Sequence, residues 1–202
     1  MLDCVGPYLI DSNIHAYPTL LQAPSGNHRG GRVTVDRLAR FISHQYDECD
    51  FITTFVDFYG FQDANGRTRA QLETAILDEL LARRPGIDRR FVLPYLQMHE
   101  FEALLFSDIS KFEWVLDGWN ADVRNEFEVI RNTYAPEDIN NSPETAPSKR
   151  ILSIFPAGTY SKTEHGPLIA QDIGIDAIRA ACPGFDAWLS VIENWRNVQG
   201  GT

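Results

Sequence analysis

Apolar residues recur at helical spacing from Val35 through Leu38, Ala39 and Ile42 to Tyr46, which predicts an amphipathic helix. The segment FITTFVDFYG is rich in β-branched and aromatic residues and stops at a glycine, so it predicts a buried strand ending at Asp57. Thr68 and Gln71 have the spacing of a capping box, and Leu72, Ile76, Leu80 and Leu81 continue a helix that Pro85 and Gly86 end. RFVLPYLQ returns to strand character, with Pro94 implying an edge position or a local bulge. Upstream, residues 8–22 alternate between short apolar and turn-like pieces, and APSGNHRGGR is a polar, glycine-rich loop.

Helix alternating with strand favours a three-layer α/β arrangement with largely parallel strands, whose ligands bind beyond the carboxyl ends of the strands. After Phe106 the pattern changes. ISKFEWVL, ADVRNEFEVIRNTY, KRILSIF, PLIAQDIGIDAIRAAC and FDAWLSVIENW all favour helices. The expected organisation is one α/β domain over residues 1–202, with residues 107–202 a helical extension packed on it. APEDINNSPETAPSKR is the most loop-like stretch and is long enough for a functional or partner-contacting connection.

QMHEFEALLF sets an imidazole and two carboxylates against an apolar run. It predicts a strand-to-helix junction with Phe101, Leu104 and Leu105 buried and His99 or Glu100 facing a cleft. A buried carboxylate is costly unless a hydrogen bond, a cation or a metal compensates it. Asp57 falls at one strand end and Glu100 and Glu102 at the next, and such oxygen-rich clusters suit Mg²⁺, which takes one or two protein carboxylates. In the competing reading Asp57 caps a turn and Glu100 begins a helix, where the macrodipole favours an acid. Glu100 and Glu102 converge only if the chain is extended there, because residues i and i+2 share a face in a strand and not in a helix. His99 is either a ligand-orienting group or a hydrogen-bonding structural residue.

Further along, PETAPSKR offers Glu144, Ser148, Lys149 and Arg150, and YSKTEHG offers Tyr160, Lys162 and His165. Ser148 could cap a helix through Ile151 and Ile154. Lysines and arginines beside a carboxylate-bound metal hold phosphate oxygens or stabilise a transition state, and otherwise they are simply solvated. No GxxxxGK(S/T) loop, GxSxG elbow or HExxH pair occurs, so P-loop hydrolysis, serine esterase chemistry and zincin proteolysis are not indicated.

Charge narrows the partners. A formal charge of −10 excludes holding nucleic acid by bulk attraction, so any such contact is local or shared with a basic partner. Cys4, Cys49 and Cys182 are odd in number and form no CxxC, which fits a reducing compartment. No apolar run approaches the roughly 20 residues that span a bilayer, and the opening lacks a signal-peptide pattern, so the expected location is cytoplasmic.

TTFVDFYGF, LPYLQMHEFEALLFSD, INNSPETAPSKRI and LIAQDIGIDAIRAACPGFDAWL, in that order, resemble the bacterial family called domain of unknown function 4276. That family looks Toprim-like and is considered alongside ATPase-associated defence nucleases. The resemblance implies an Mg²⁺ (or Mn²⁺) site for phosphodiester chemistry, with Asp57 and Glu100 as metal ligands and Glu102 or His99 orienting a ligand or water. Lys149, Arg150 and Lys162 are the expected phosphate contacts from the residue reading, and the resemblance implies nucleic acid as substrate and an ATPase as partner. Two departures stand out. Family members open on an EGxTE-like segment, whereas this chain opens at MLDCVGPYL, which looks like the end of the helix that follows. Either the start codon is placed too late, the chain is shortened, or this member has lost the acid, and the expectation is that these 202 residues lack a metal-ligating Glu and an inner strand. Asp57 is also followed by FYG and not by a second Asp. The rival expectation is a non-catalytic protein whose carboxylates bond internally and whose helical half docks onto an ATPase or a second copy.

Overall fold

The structure, a computed structural model, describes residues 2–21, 33–139 and 145–200, with side chains from residue 4 to residue 197. Glu144 and the arginines of HRGGR lie outside the described residues. The chain forms two compact units: Met1–Tyr17 with Met98–Glu193, and Pro18–Gln97 with Asn194–Thr202.

The first unit begins with α1 (Leu2–Ile10), so the segment expected to alternate between short pieces is helical through Ile10. Pro7 sits inside this helix. The second unit holds α2 (Val35–Gln45), β1 (Ile52–Thr53), β2 (Val56–Asp57), α3 (Arg69–Arg83), β3 (Val92–Leu93) and β4 (Leu96–Gln97). Thr34 caps α2 through its side chain, and the Thr68–Gln71 capping box of α3 is formed in both directions. The apolar faces read from the sequence meet in one core, in which Leu38, Ala39 and Ile42 of α2 join Leu72, Ile76 and Leu80 of α3.

The strands pair in parallel, β1 with β3 and β2 with β4, in two short ladders. Pro94 explains the interruption. It has no N–H to donate, so the ladder cannot run through it. Thr54 bridges the gap: its hydroxyl donates to the Tyr95 carbonyl at 2.9 Å and accepts from the Tyr95 N–H at 2.8 Å. From α3, the Glu73 carboxylate accepts the Leu96 N–H at 3.0 Å.

The first unit resumes at Met98, where the chain turns through extended Glu100 and enters a 3-10 helix, Phe101–Ser107. Ala103, Leu104, Leu105 and Phe106 are fully buried there, as expected for the leucines, while Phe101 is only half-buried. A second 3-10 helix, Ile109–Trp114, precedes α4 (Ala121–Thr133), α5 (Pro147–Ile154), α6 (His165–Ile173), α7 (Ile175–Ala181) and α8 (Pro183–Glu193). The continuous helix suggested by PLIAQDIGIDAIRAAC is broken at Gly174, whose φ of 79° is a conformation that favours glycine. The core around these elements is aromatic: Phe112 stacks on Phe127 with centroids 4.2 Å apart, and Phe106, Phe155 and Tyr160 adjoin them. Arg179 of α7 knits the helices, donating to Tyr8 of α1 and to Asp186, Ser190 and Glu193 of α8.

Candidate functional site

Asp57 is the last residue of β2, in parallel register with Gln97 of β4. It is half-buried, and its side chain does not cap the 3-10 turn Phe58–Gly60 that follows, so the turn-capping reading does not hold. This is the carboxyl end of a parallel strand pair, the position from which α/β proteins address ligands.

The remaining candidates surround the 3-10 helix Phe101–Ser107 in the first unit. Glu100 is extended, with φ −145° and ψ 160°, and the helix starts at the next residue. Glu100 and Glu102 therefore diverge. Glu100 Oε2 accepts the backbone N–H of Ser148 at 3.1 Å, which lies in the first turn of α5. Helix N-termini carry unsatisfied N–H groups and favour a negative charge, so this carboxylate caps an element far from it in sequence. Ser148 does not cap α5, whose N-cap is Ala146 with Pro147 following it.

Glu102 is 7% exposed and pairs with Lys162 at 3.2 Å. Tyr160, beside them, is 6% exposed, and its hydroxyl has no hydrogen-bond partner among the described residues; the same holds for the Ser148 hydroxyl. Burial, reinforced by the Glu102 charge, holds the Tyr160 phenol far above its ordinary range, so it stays a neutral donor. The Tyr160 ring stacks on Phe155 and lies near-parallel to His165. His165 Nδ1 accepts the Ser161 N–H at 2.9 Å, which leaves the ring proton on Nε2. Burial lowers the affinity of His99 for a proton more than Asp138 and Glu100 raise it, so its imidazole is neutral at pH 7.

Lys149 is exposed. Arg150 is turned to internal work, donating to the Thr145 carbonyl at 2.9 Å and lying over the Tyr134 ring. Cys182 is buried against Ser107 and its thiol is pushed up to about 12 by burial, which removes it as a nucleophile at neutral pH.

The metal implied by the resemblance is testable against these donors. A magnesium ion needs one or two carboxylates, with water and phosphate completing its octahedron. Asp57 fits that demand by position, being a carboxylate at the end of a parallel strand pair. Glu102 fits it poorly because an ammonium already neutralises it, and Glu100 commits one oxygen to Ser148. Among the described residues no group of three His, Cys, Asp or Glu side chains is arranged to hold a metal.

Sequence reasoning missed the Thr54 and Glu73 contacts that complete the broken ladder, and the Asp138 charge near His99. A proline inside a strand was a usable signal for the first, since the lost donor must be replaced locally. No helix among the described residues is long and apolar enough to cross a membrane. No curated protein and no solved structure matches the chain. The family model described as domain of unknown function (DUF4276) matches residues 3–193, and the chain belongs to that family.

Proposed function

We propose that this chain is a magnesium- or manganese-dependent, phosphodiester-directed protein of the nuclease type, serving bacterial defence. The observation that carries the reading is the position of Asp57, an acid at the carboxyl end of a parallel strand pair. In this reading Asp57 holds the cation, which when bound polarises a phosphoryl oxygen. The helical unit, taken by itself, offers its own exposed cations: Lys162, paired with Glu102 and still 42% exposed, and Lys149. Such local cations are what a chain of net charge −10 needs to approach nucleic acid.

Calorimetric titration with Mn²⁺, alongside cleavage of labelled single- and double-stranded DNA and RNA, tests this. Binding and metal-dependent cleavage that both disappear in Asp57→Ala are expected. Equal Mn²⁺ affinity in Asp57→Ala, or absence of cleavage in wild type with metal, rejects it.

A second reading has its own support. Both Glu100 and Glu102 have internal partners, a helix N-terminus and an ammonium, which is the behaviour of a non-catalytic protein whose acids are structural. It predicts a stable complex with an ATPase, retained in chelator and in Asp57→Ala; loss of the complex on chelation counts against it.

A further inference from the structure

The segment from Glu113 to Trp119 presents apolar side chains to solvent from a rigid base. Val115 is 1% exposed and anchors the segment, while its neighbours Trp114 and Leu116 are 45% and 82% exposed. Gly118 seats the turn against the body: a Cβ there would lie 2.8 Å from Phe155 Cδ1 and 2.9 Å from Thr159 Oγ1. Glu113, Trp114, Leu116 and Trp119 line a cavity of about 410 Å³, open to solvent.

Both indoles are held. Trp114 Nε1 donates to Asp172 of α6 at 3.2 Å, and Trp119 packs on the buried Phe127 ring with centroids 6.1 Å apart. The indole N–H of Trp114 being committed, what it offers an incoming group is carbon surface and π-face. Lys111, two residues before this segment, is already paired with Asp172 at 3.2 Å. The cavity wall therefore carries one carboxylate, Glu113, and no cation. Asp117, next to Leu116, is exposed and adds to the same sign.

We infer that this cavity is a docking site for a basic, apolar polypeptide segment of a partner protein, which inserts an arginine or lysine between the indoles and Glu113 and lays aliphatic residues on Leu116. Charge complementarity selects this occupant. Indole faces attract a cation through the ring quadrupole, the carboxylate adds a direct charge, and immobilised aromatics lose little entropy on binding. A second copy of this chain is a poor fit, because two surfaces of net charge −10 repel. The inference is independent of the metal reading.

The test is fluorescence anisotropy with the intact chain and a labelled short peptide carrying one arginine between two leucines, against its citrulline counterpart. The arginine peptide is expected to bind, and citrulline to weaken it about two- to fivefold, the range of a cation over an exposed indole. Glu113→Gln and Trp114→Leu should each weaken the arginine peptide and leave the far-ultraviolet circular dichroism unchanged. Leu116→Ser, at a more exposed position, should weaken both peptides alike. Equal affinity for the two peptides, indifference to Glu113→Gln and Trp114→Leu, or absence of binding at millimolar peptide overturns the proposal. So does self-association in sedimentation that Leu116→Ser abolishes, which would make a second copy the occupant.

Discussion

The carboxylate of Glu100 accepts the backbone N–H of Ser148, 48 residues further along the chain, at 3.1 Å. The pair ties the residue before the 3-10 helix Phe101–Ser107 to the start of α5 and gives that helix the acceptor its own N-cap, Ala146, cannot supply. Glu100→Ala should cost about 0.5–2 kcal/mol, the range for losing a helix cap. Glu100→Gln keeps an oxygen acceptor and should lose less. Urea denaturation of both variants checks this; equal losses would mean that charge, and not the hydrogen bond, joins the two segments.

Leu104 is fully buried in the 3-10 helix beside Leu105 and Phe106. Leu104→Ala should destabilise the chain by about 2–5 kcal/mol, combining lost transfer energy with an unfilled cavity. An unchanged denaturation midpoint and m-value would contradict the placement.

Glu73 carries a pH signature. Burial raises the pKa of its carboxyl, more than the Leu96 N–H and Arg69 lower it. A raised folded-state pKa means that the folded chain holds this proton to higher pH than the unfolded chain does. The associated stability is present below the unfolded value, near 4.5, and is lost as pH rises through the folded value. Glu73→Gln keeps the acceptor for Leu96 without the ionisation. Its midpoint should match wild type at low pH and exceed it at pH 7; a midpoint below wild type at pH 7 would show that the charge itself supports the ladder.

Gly118→Ala should destabilise by about 1–3 kcal/mol, because the added Cβ meets Phe155 and Thr159 below normal contact distance and the packed core cannot readily give way. The same substitution should loosen the Trp114–Trp119 segment, read as a red shift of tryptophan emission. A native midpoint with native emission would show that the turn yields freely.

What the sequence made legible follows the range of the interaction. The capping box of Thr68 and Gln71, the apolar faces of α2 and α3, and the strand end at Asp57 depend on spacings of a few residues and are present. Phe101–Ser107 was harder to read. Glu102 through Phe106 are five consecutive buried positions, so the element has no solvated face and no 3.6-residue periodicity to show. The partners of its acids were illegible for another reason: Ser148 and Lys162 lie dozens of residues away, and no local pattern encodes which backbone N–H a carboxylate will meet.

Glu102 and Lys162 provide the sharpest test of what the acids do. The carboxylate side chain is 10% exposed and the lysine 42%, so the pair is intermediate between a surface ion pair, worth about 0–1 kcal/mol, and a buried one. A double-mutant cycle with Glu102→Gln and Lys162→Met should give a coupling of about 0.5–3 kcal/mol. Lys162→Met alone should be the most harmful of the three variants, because it leaves Glu102 buried without its cation, whereas the double variant removes the charge as well. Phosphate binding separates this structural bond from a ligand role. Lys162→Arg, which restores the cation, should recover stability in either case, but only a lysine that also meets a ligand will lose affinity for an oligonucleotide in Lys162→Met beyond what the Glu102→Gln variant loses. Equal oligonucleotide affinity in all of these variants would leave the pair a strut between the 3-10 helix and the loop before α6, and would assign phosphate contact elsewhere on the chain.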